Sequence, residues 1–350
     1  MPDIADRKTD HLDLAISGDV GFKRTTTLFE CVRLIHDALP DLDLDAIDLS
    51  STVLGKKLRA PILIAGMTGG AARAERVNLE LAAIAEERGY AFGLGSQRAM
   101  LRRPEAKSSY TVRRAAPSAL LLGNLGVVQA AKMSSAEIQD LASEVHADAL
   151  CVHLNPAMEI VQEEGDRDFR GGLETLQRLA AELTLPVIAK ETGCGLSRSV
   201  ALRLRRAGIA HVDVSGAGGT SWVAVETQRA QAEQKALGEA FWEWGIPTAV
   251  SVAWVHSHGF ETVFATGGIQ HGLDIAKAIA LGASAGGIAR AALQALETSG
   301  PSGARRFFDR VEAELRAALL LTGSANLAAL RSAPRVLTGE LKDWLSEAPR

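Results

Sequence analysis

Apolar residues fall in short runs separated by amphipathic stretches along most of the chain. In the first half the runs are 61–66 (PILIAG), 90–95 (YAFGLG), 119–125 (ALLLGNL) and 148–154 (DALCVHL). In the second half they are 185–190 (LPVIAK), 210–216 (AHVDVSG), 262–268 (TVFATGG) and 284–289 (SAGGIA). Continuous apolar runs of this length suit strands covered on both faces. The stretches between them, such as 173–183 and 273–283, carry apolar residues at helical spacing. Eight strands alternating with helices, mostly ended by glycine, predict an α/β fold of the (β/α)8 TIM-barrel type, with an open doubly wound sheet as the rival. The run 246–255 (IPTAVSVAWV) is apolar throughout and would make a ninth strand. Pro247 near its start suits the first turn of a helix, so the segment is read as helix. One domain is expected: an N-terminal arm or cap over 1–58, which covers the barrel or closes over its mouth, the barrel over 59–295, and a C-terminal helical tail over 296–350.

Composition narrows the functional classes. The 350 residues are 47% hydrophobic, enough to fill a large core, and 33 glycines against 11 prolines fit many tight strand-to-helix turns. Lys and Arg number 38 and Asp and Glu 42, a net charge of −4, which argues against a broad nucleic-acid footprint while allowing a local site for a small anion. Cys31, Cys151 and Cys194 have neither metal-like nor disulfide-framework spacing. The N-terminal sequence MPDIADRKTDHLDLAI has no apolar signal core. No window reaches the roughly 18 apolar residues of a membrane span. A reducing, cytoplasmic setting is expected.

In such barrels the chemistry sits at the carboxyl ends of the strands. Those ends here carry Thr68-Gly69-Gly70, Ser96-Gln97-Arg98, Asn124, His153-Asn155-Glu159, Lys190, Ser215 to Thr220, Gly267-Gly268 and Ala289-Arg290. Each alone could be a turn or cap; one at almost every strand end points to a site. The last two clusters follow strands seven and eight, where backbone N–H groups and a helix N-terminus commonly hold a phosphate. Lys190 ends an apolar strand and needs an anionic partner; neighbouring Glu191 is the simplest candidate. The segment RKTDH over 7–11 holds three potential cations. If the arm folds over the mouth, Arg7, Lys8 and His11 could grip a diphosphate together with Arg98.

Several segments together resemble type II isopentenyl diphosphate isomerase, an FMN-dependent family. They include RKTDHL (7–12), APILIAGMTGG (60–70), GLGSQR (93–98), HLNP (153–156), KETGCGLS (190–197), SGAGGTSW (215–222) and ATGGIQHGLDIAKAIALGA (265–283), in the family's order. The resemblance implies that flavin is contacted by Gly66, Met67, Thr68, Ser96, Asn124, Lys190, Ser215 and Thr220, by the turn Gly267, Gly268 and Ile269, and by Ala289 and Arg290. On this reading Lys190 faces an electron-rich flavin edge. It implies a prenyl diphosphate bound by Arg7, Lys8, His11, Ser96, Gln97, Arg98, His153 and Asn155, with Glu159 holding a bridging Mg²⁺. It further implies reduced FMN as the active form, NADPH as reductant, and a homo-oligomer of tetramer size or larger.

The stretch HLNPAMEIVQEEGD over 153–166 departs from that pattern. The family motif reads His-Leu-Asn-Pro-x-Gln-Glu, and Met158 stands at its glutamine. His153, Met158 and Trp222 are the candidate catalytic residues. Methionine offers only a weakly accepting sulfur where glutamine would offer donors and an acceptor. It can fill space and present a polarisable surface. Gly66, Gln270 and Arg290 are further departures. The expected reaction is isomerisation of isopentenyl diphosphate to dimethylallyl diphosphate. The alternatives are a reduced-flavin cyclase or rearrangement enzyme for longer prenyl diphosphates or polyenes, and a flavin-binding protein without turnover. A 2-hydroxy-acid oxidase lacks support, because no histidine–arginine pair follows the seventh strand.

Overall fold

The computed structural model describes residues 4–346; within the first helix the side chains of residues 4–9 and 17, and with them the expected diphosphate ligands Arg7 and Lys8, lie outside the described residues. Eight parallel strands close on themselves. They are β1 (Ile62–Ile64), β2 (Ala91–Gly93), β3 (Leu120–Gly126) and β4 (Ala149–Leu154), then β5 (Val187–Glu191), β6 (His211–Asp213), β7 (Thr262–Ala265) and β8 (Ala285–Ile288). The barrel closes where Gly286, Gly287 and Ile288 pair with Ile62, Leu63 and Ile64. That pairing excludes the open sheet, and each of the eight expected runs contains one barrel strand.

Strand alternation explains why these runs are apolar from end to end. Ile62 and Ile64 join the core between strands and helices, whereas Leu63 and Ala65 point inward with Leu122, Ile188 and Phe264. Both faces are therefore buried, and no polar position is needed. The same reasoning accounts for 246–255. It forms the helix Thr248–His256, directly after Pro247, and seven of its residues are buried. Covered on nearly all sides, it has no polar stripe to betray its period.

The N-terminal region does two jobs at opposite ends of the barrel. The helix Ile4–Ser17 and the loop after it reach the mouth, where His11, Leu12, Ala15, Gly21 and Phe22 form part of a cavity wall. Farther along, Ser51–Val53 and Lys56–Leu58 form a hairpin. Its turn, Leu54-Gly55, has φ of 50° and 76°, the double left-handed geometry that suits the twist of a two-residue hairpin. Val53 and Leu58 pack with Leu63, Leu120 and Ile188, so the hairpin plugs the barrel from its amino end. Lys56 ties it down through Asp148 at 2.8 Å.

The tail differs from the expected run of helices. The helix Arg290–Leu320 breaks at Ser299 and Gly300, ahead of Pro301. Farther on, Arg335–Leu337 is a strand, paired antiparallel with Val32–Leu34. N-terminal and C-terminal segments thus meet in a small ribbon outside the barrel. No helix among the described residues is long and apolar enough to cross a membrane.

Candidate active site

A cavity of about 500 Å³ opens at the carboxyl ends of the strands. That volume falls in the usual range for small-molecule and cofactor sites. Its floor and one side come from glycine-rich turns. Gly66, Met67 and Thr68 follow β1, and Ser215 and Thr220 follow β6. Gly267, Gly268 and Ile269 follow β7, and Ala289 and Arg290 follow β8.

Close backbone approach dictates these glycines. A Cβ on Gly66 would lie 2.1 Å from the Leu94 carbonyl oxygen. Gly267 has φ of 97°, and a Cβ there would lie 2.1 Å from the Gly216 oxygen. The turns after β6 and β7 therefore touch main chain to main chain. Ser215 itself is left-handed at φ 37°, a costly conformation for a residue with a side chain. Its carbonyl accepts from Gly193 and Gly195, which holds the turn in place.

Lys190 reaches into the cavity from β5. Its Nζ lies 3.3 Å from Asp213 Oδ2 and donates to the Glu191 carbonyl at 2.9 Å. The expected partner was a flavin edge or a carboxylate, with neighbouring Glu191 as the structural alternative; within the chain the carboxylate is that of Asp213 on β6. Strand alternation is the reason: Glu191 points to the opposite face from Lys190. There its carboxylate accepts from the backbone N–H groups of Thr192, Cys194 and Gly195 and fixes that loop. Burial pushes Glu191 up to about 7, against the opposing pull of those donors and of Lys190. Asp213 also accepts from the Thr266 hydroxyl. Below them, burial, helped by Asp213, pushes the Cys151 thiol up to about 12 and keeps it neutral.

The opposite side of the cavity is polar. Asn124 donates its amide to the Leu94 carbonyl at 3.0 Å, which leaves its Oδ1 to accept from His153 Nδ1 at 2.8 Å. This network places a proton on Nδ1 of His153. Asn155 donates to Glu159 Oε1 at 2.8 Å, and the Asp166 backbone N–H donates to Oε2 at 2.7 Å. Glu159 is thus 6% exposed yet oriented by two donors, with lone pairs left over. Arg98 lies 3.7 Å from Asp166, too far for a hydrogen bond, so its donors remain available to an anion. Ser96 and Met158 complete this side.

Two expected ligands sit differently from the sequence reading. Gln97 is fully buried off the cavity wall. Its amide donates to the Leu141 carbonyl at 3.0 Å, and its Oε1 accepts from the Asn124 backbone at 3.0 Å. It braces β3 from behind and cannot reach a ligand in the mouth. His11 does line the cavity, but its Nε2 is 2.9 Å from Glu226 Oε1 and its ring meets Trp222 edge to face at 5.4 Å. Glu226 also pairs with Arg229 at 3.0 Å. His11 therefore anchors the arm to the helix Trp222–Arg229. Arg290 similarly donates to the carbonyls of Ala15 and Gly18, both at 2.7 Å, clipping the end of the arm helix over the mouth. Gln129, Gln162 and Thr192 line the cavity and were absent from the sequence reading. Only Gln162 carried a signal, lying four residues after Met158 on one helical face.

The model for FMN-dependent dehydrogenases matches residues 3–101 and 127–336. The chain is 43% identical over 349 residues to an isopentenyl-diphosphate delta-isomerase of Methanothermobacter thermautotrophicus, covering 98% of this chain and 96% of that one. It is 48% identical over 328 residues to one from a Synechococcus strain, covering 93% and 94%. The chain belongs to the isopentenyl-diphosphate delta-isomerases of the FMN-dependent dehydrogenase family. Among solved structures, a mandelate oxidase with benzaldehyde superposes with a TM-score of 0.66 at 19% identity, covering 94% of each chain. A lactate oxidase of Pediococcus acidilactici gives 0.69 at 15% identity, covering 95% and 93%. At that identity these two share the fold alone. After β7 this chain has Gly267, Gly268, Ile269 and Gln270, and His271 is an exposed helix cap outside the cavity.

The cavity fits a flavin mononucleotide on its own geometry. The Thr68 hydroxyl is buried in the wall with no hydrogen-bond partner among the described residues. Gly267, Gly268 and the first turn of the helix Arg290–Leu320 form an anion cradle, since the first N–H groups of a helix have no partner within it.

Proposed function

We propose that this protein isomerises isopentenyl diphosphate to dimethylallyl diphosphate with reduced FMN, in isoprenoid biosynthesis. The observation that carries the reading is a single cavity with two chemically distinct sides. One side has the glycine cradle, the orphaned Thr68 hydroxyl and Lys190; the other has Arg98, His153, Asn155 and Glu159. The relatives' name supplies the substrate class.

Moving the double bond of an unactivated alkene requires a proton at one carbon and loss of a proton from another, through positive charge at a tertiary carbon. Reduced FMN supplies an electron-rich ring beside the alkene that can exchange protons with it and stabilise that charge. Gly66, Met67, Thr68, Ser96 and Asn124 would contact it, and Ser215, Thr220, Gly267, Gly268, Ile269 and Ala289 would complete its site. Lys190 would favour its anionic form. Arg290 would act by fixing the arm above the phosphate.

The chain's own residues clamp the diphosphate. Arg98 supplies a planar fork of donors and Asn155 a neutral one; His153, whose Nδ1 proton goes to Asn124, would donate from Nε2 only as the imidazolium. Arg7 and Lys8 would join them from the arm, and His11 would hold that arm in place. Glu159 would carry Mg²⁺. No group of three metal-ligating side chains exists among the described residues. One oriented carboxylate nevertheless suits a hydrated magnesium that completes its shell with phosphate oxygens. Met158 and Trp222 face the five-carbon body with polarisable, non-basic surfaces, which leave positive charge unquenched. NADPH would serve only to reduce the flavin. A cytoplasmic homo-oligomer belongs to the same reading.

The test is an anaerobic product assay with dithionite-reduced FMN and Mg²⁺, using diphosphates from five to twenty carbons. Conversion of the five-carbon substrate alone, lost on chelation, supports the reading. No conversion of isopentenyl diphosphate by FMN-loaded protein overturns it. Products only from longer chains would point instead to a cyclase or rearrangement activity.

A further inference from the structure

The short helix Pro156–Val161 and the residue that caps its end bring three side chains to the cavity, at positions 158, 159 and 162. Met158 and Gln162 are four residues apart and share a face; the Gln162 N–H closes the last turn on the Met158 carbonyl at 3.2 Å. Gln162 is 7% exposed. Its backbone carbonyl accepts from Gly165 at 3.0 Å and from Arg167 at 3.2 Å, so its position is fixed. Its side-chain amide has no hydrogen-bond partner among the described residues.

The two neighbouring side-chain amides on this side are engaged elsewhere. The Asn155 amide serves Glu159, and Gln129 donates to Asp166 at 2.8 Å. The Gln162 amide is not sealed from the cavity, so its donors and acceptor are open to a ligand or water there. The same helix packs against Trp222–Arg229, and Met158 and Trp222 line the same cavity.

We propose that Gln162 is a positioning residue for the substrate's five-carbon body. Its amide, with two donors and one acceptor, holds an ordered water beside position 158, where the thioether cannot. That water orients the alkene in the cavity while the diphosphate is gripped elsewhere. The assignment rests on the isomerase reading above and adds a residue to it.

The first measurement needs no turnover. Without substrate, Gln162→Leu and Gln162→Met should melt within about 2 °C of the wild type, because the amide faces the cavity and holds no partner among the described residues. A clear drop for both would make Gln162 a structural residue and overturn the proposal. With oxidised FMN bound, isopentenyl diphosphate should raise the melting temperature of the wild type more than that of either variant. Equal shifts would also overturn it. An absence of any shift in the wild type would instead count against the isomerase reading, leaving the substrate-free melts to judge Gln162.

With reduced FMN, both variants should lose about tenfold in kcat with KM changed less than about threefold. Placing glutamine at 158 should restore the amide from the neighbouring turn. In a Met158→Gln background the Gln162→Leu loss should therefore shrink to about threefold or less. A loss confined to KM, or one unchanged in that background, would show that the two positions serve no shared place.

Discussion

Lys190 offers the most direct test of how the barrel floor is built. Its ammonium lies 3.3 Å from a carboxylate that is 2% exposed, and the lysine side chain is itself 11% exposed. Replacing it by methionine keeps the length of the side chain and strands the Asp213 charge. Breaking a buried pair in this way costs about 3–5 kcal/mol. Asp213 keeps the Thr266 hydroxyl and a long contact to the Ser215 N–H at 3.3 Å, which places the loss near the lower bound. A loss of ~3 kcal/mol corresponds to a fall in melting temperature of roughly 4 °C for a chain of this length. Lys190→Met/Asp213→Asn removes both charges and should recover most of that fall, because a neutral pair leaves no charge stranded. The assay is calorimetric melting of FMN-free protein, followed by flavin titration of each variant. Both lysine-free variants should bind reduced FMN more weakly than the wild type does. A single variant that melts within a degree of the wild type, or a double variant no more stable than the single, would refute the ion-pair argument.

Other substitutions separate stability from binding. Thr68→Val should leave the FMN-free melting temperature unchanged or higher, yet weaken FMN binding by about 2–10-fold, since only the cofactor would use that hydroxyl; fluorescence titration reads the affinity. Glu191 is held at about 7 by burial, above its ordinary 4.5, so the native state keeps its proton longer than the unfolded chain does. Its contribution is fully present below about 4.5 and is lost as pH rises through about 7, a change of roughly 3 kcal/mol. Melting from pH 4.5 to 8 should therefore show the wild type losing stability relative to Glu191→Gln, and parallel curves would contradict the assignment. Glu159→Gln should cut kcat/KM by at least about 100-fold and remove the response to added Mg²⁺, measured by product formation.

Much of the barrel was legible because buried parallel strands leave little choice of residue. All eight runs became strands, and the glycine turns after β1, β6 and β7 marked the mouth, since only glycine tolerates their main-chain contacts. The hairpin 51–58 was not legible. Its strands are three residues long, and two lysines mask the role of Leu58. The tail strand pairs with a segment some 300 residues away, which local periodicity cannot report. Among site residues, Gln97 was misplaced because a polar residue after a strand can turn inward to brace its neighbour as readily as outward to the cavity. Of the partners expected for Lys190, the Glu191 carboxylate is excluded because adjacent residues on a strand face opposite ways, whereas Asp213 sits beside it on the next strand. Gln162 was passed over although its spacing from Met158 was visible, because only packing shows that its side chain lines the cavity.

The proposed arrangement is one cavity that would set a reduced flavin against an alkene whose diphosphate is clamped by Arg98 and a Glu159-bound cation. It is tested most directly by proton NMR of isopentenyl diphosphate incubated anaerobically in D₂O with the FMN-loaded protein and Mg²⁺. Dimethylallyl diphosphate carrying solvent deuterium is expected when the flavin is reduced, and unchanged substrate when it is oxidised. Unchanged, unlabelled isopentenyl diphosphate with fully reduced, bound flavin would contradict it.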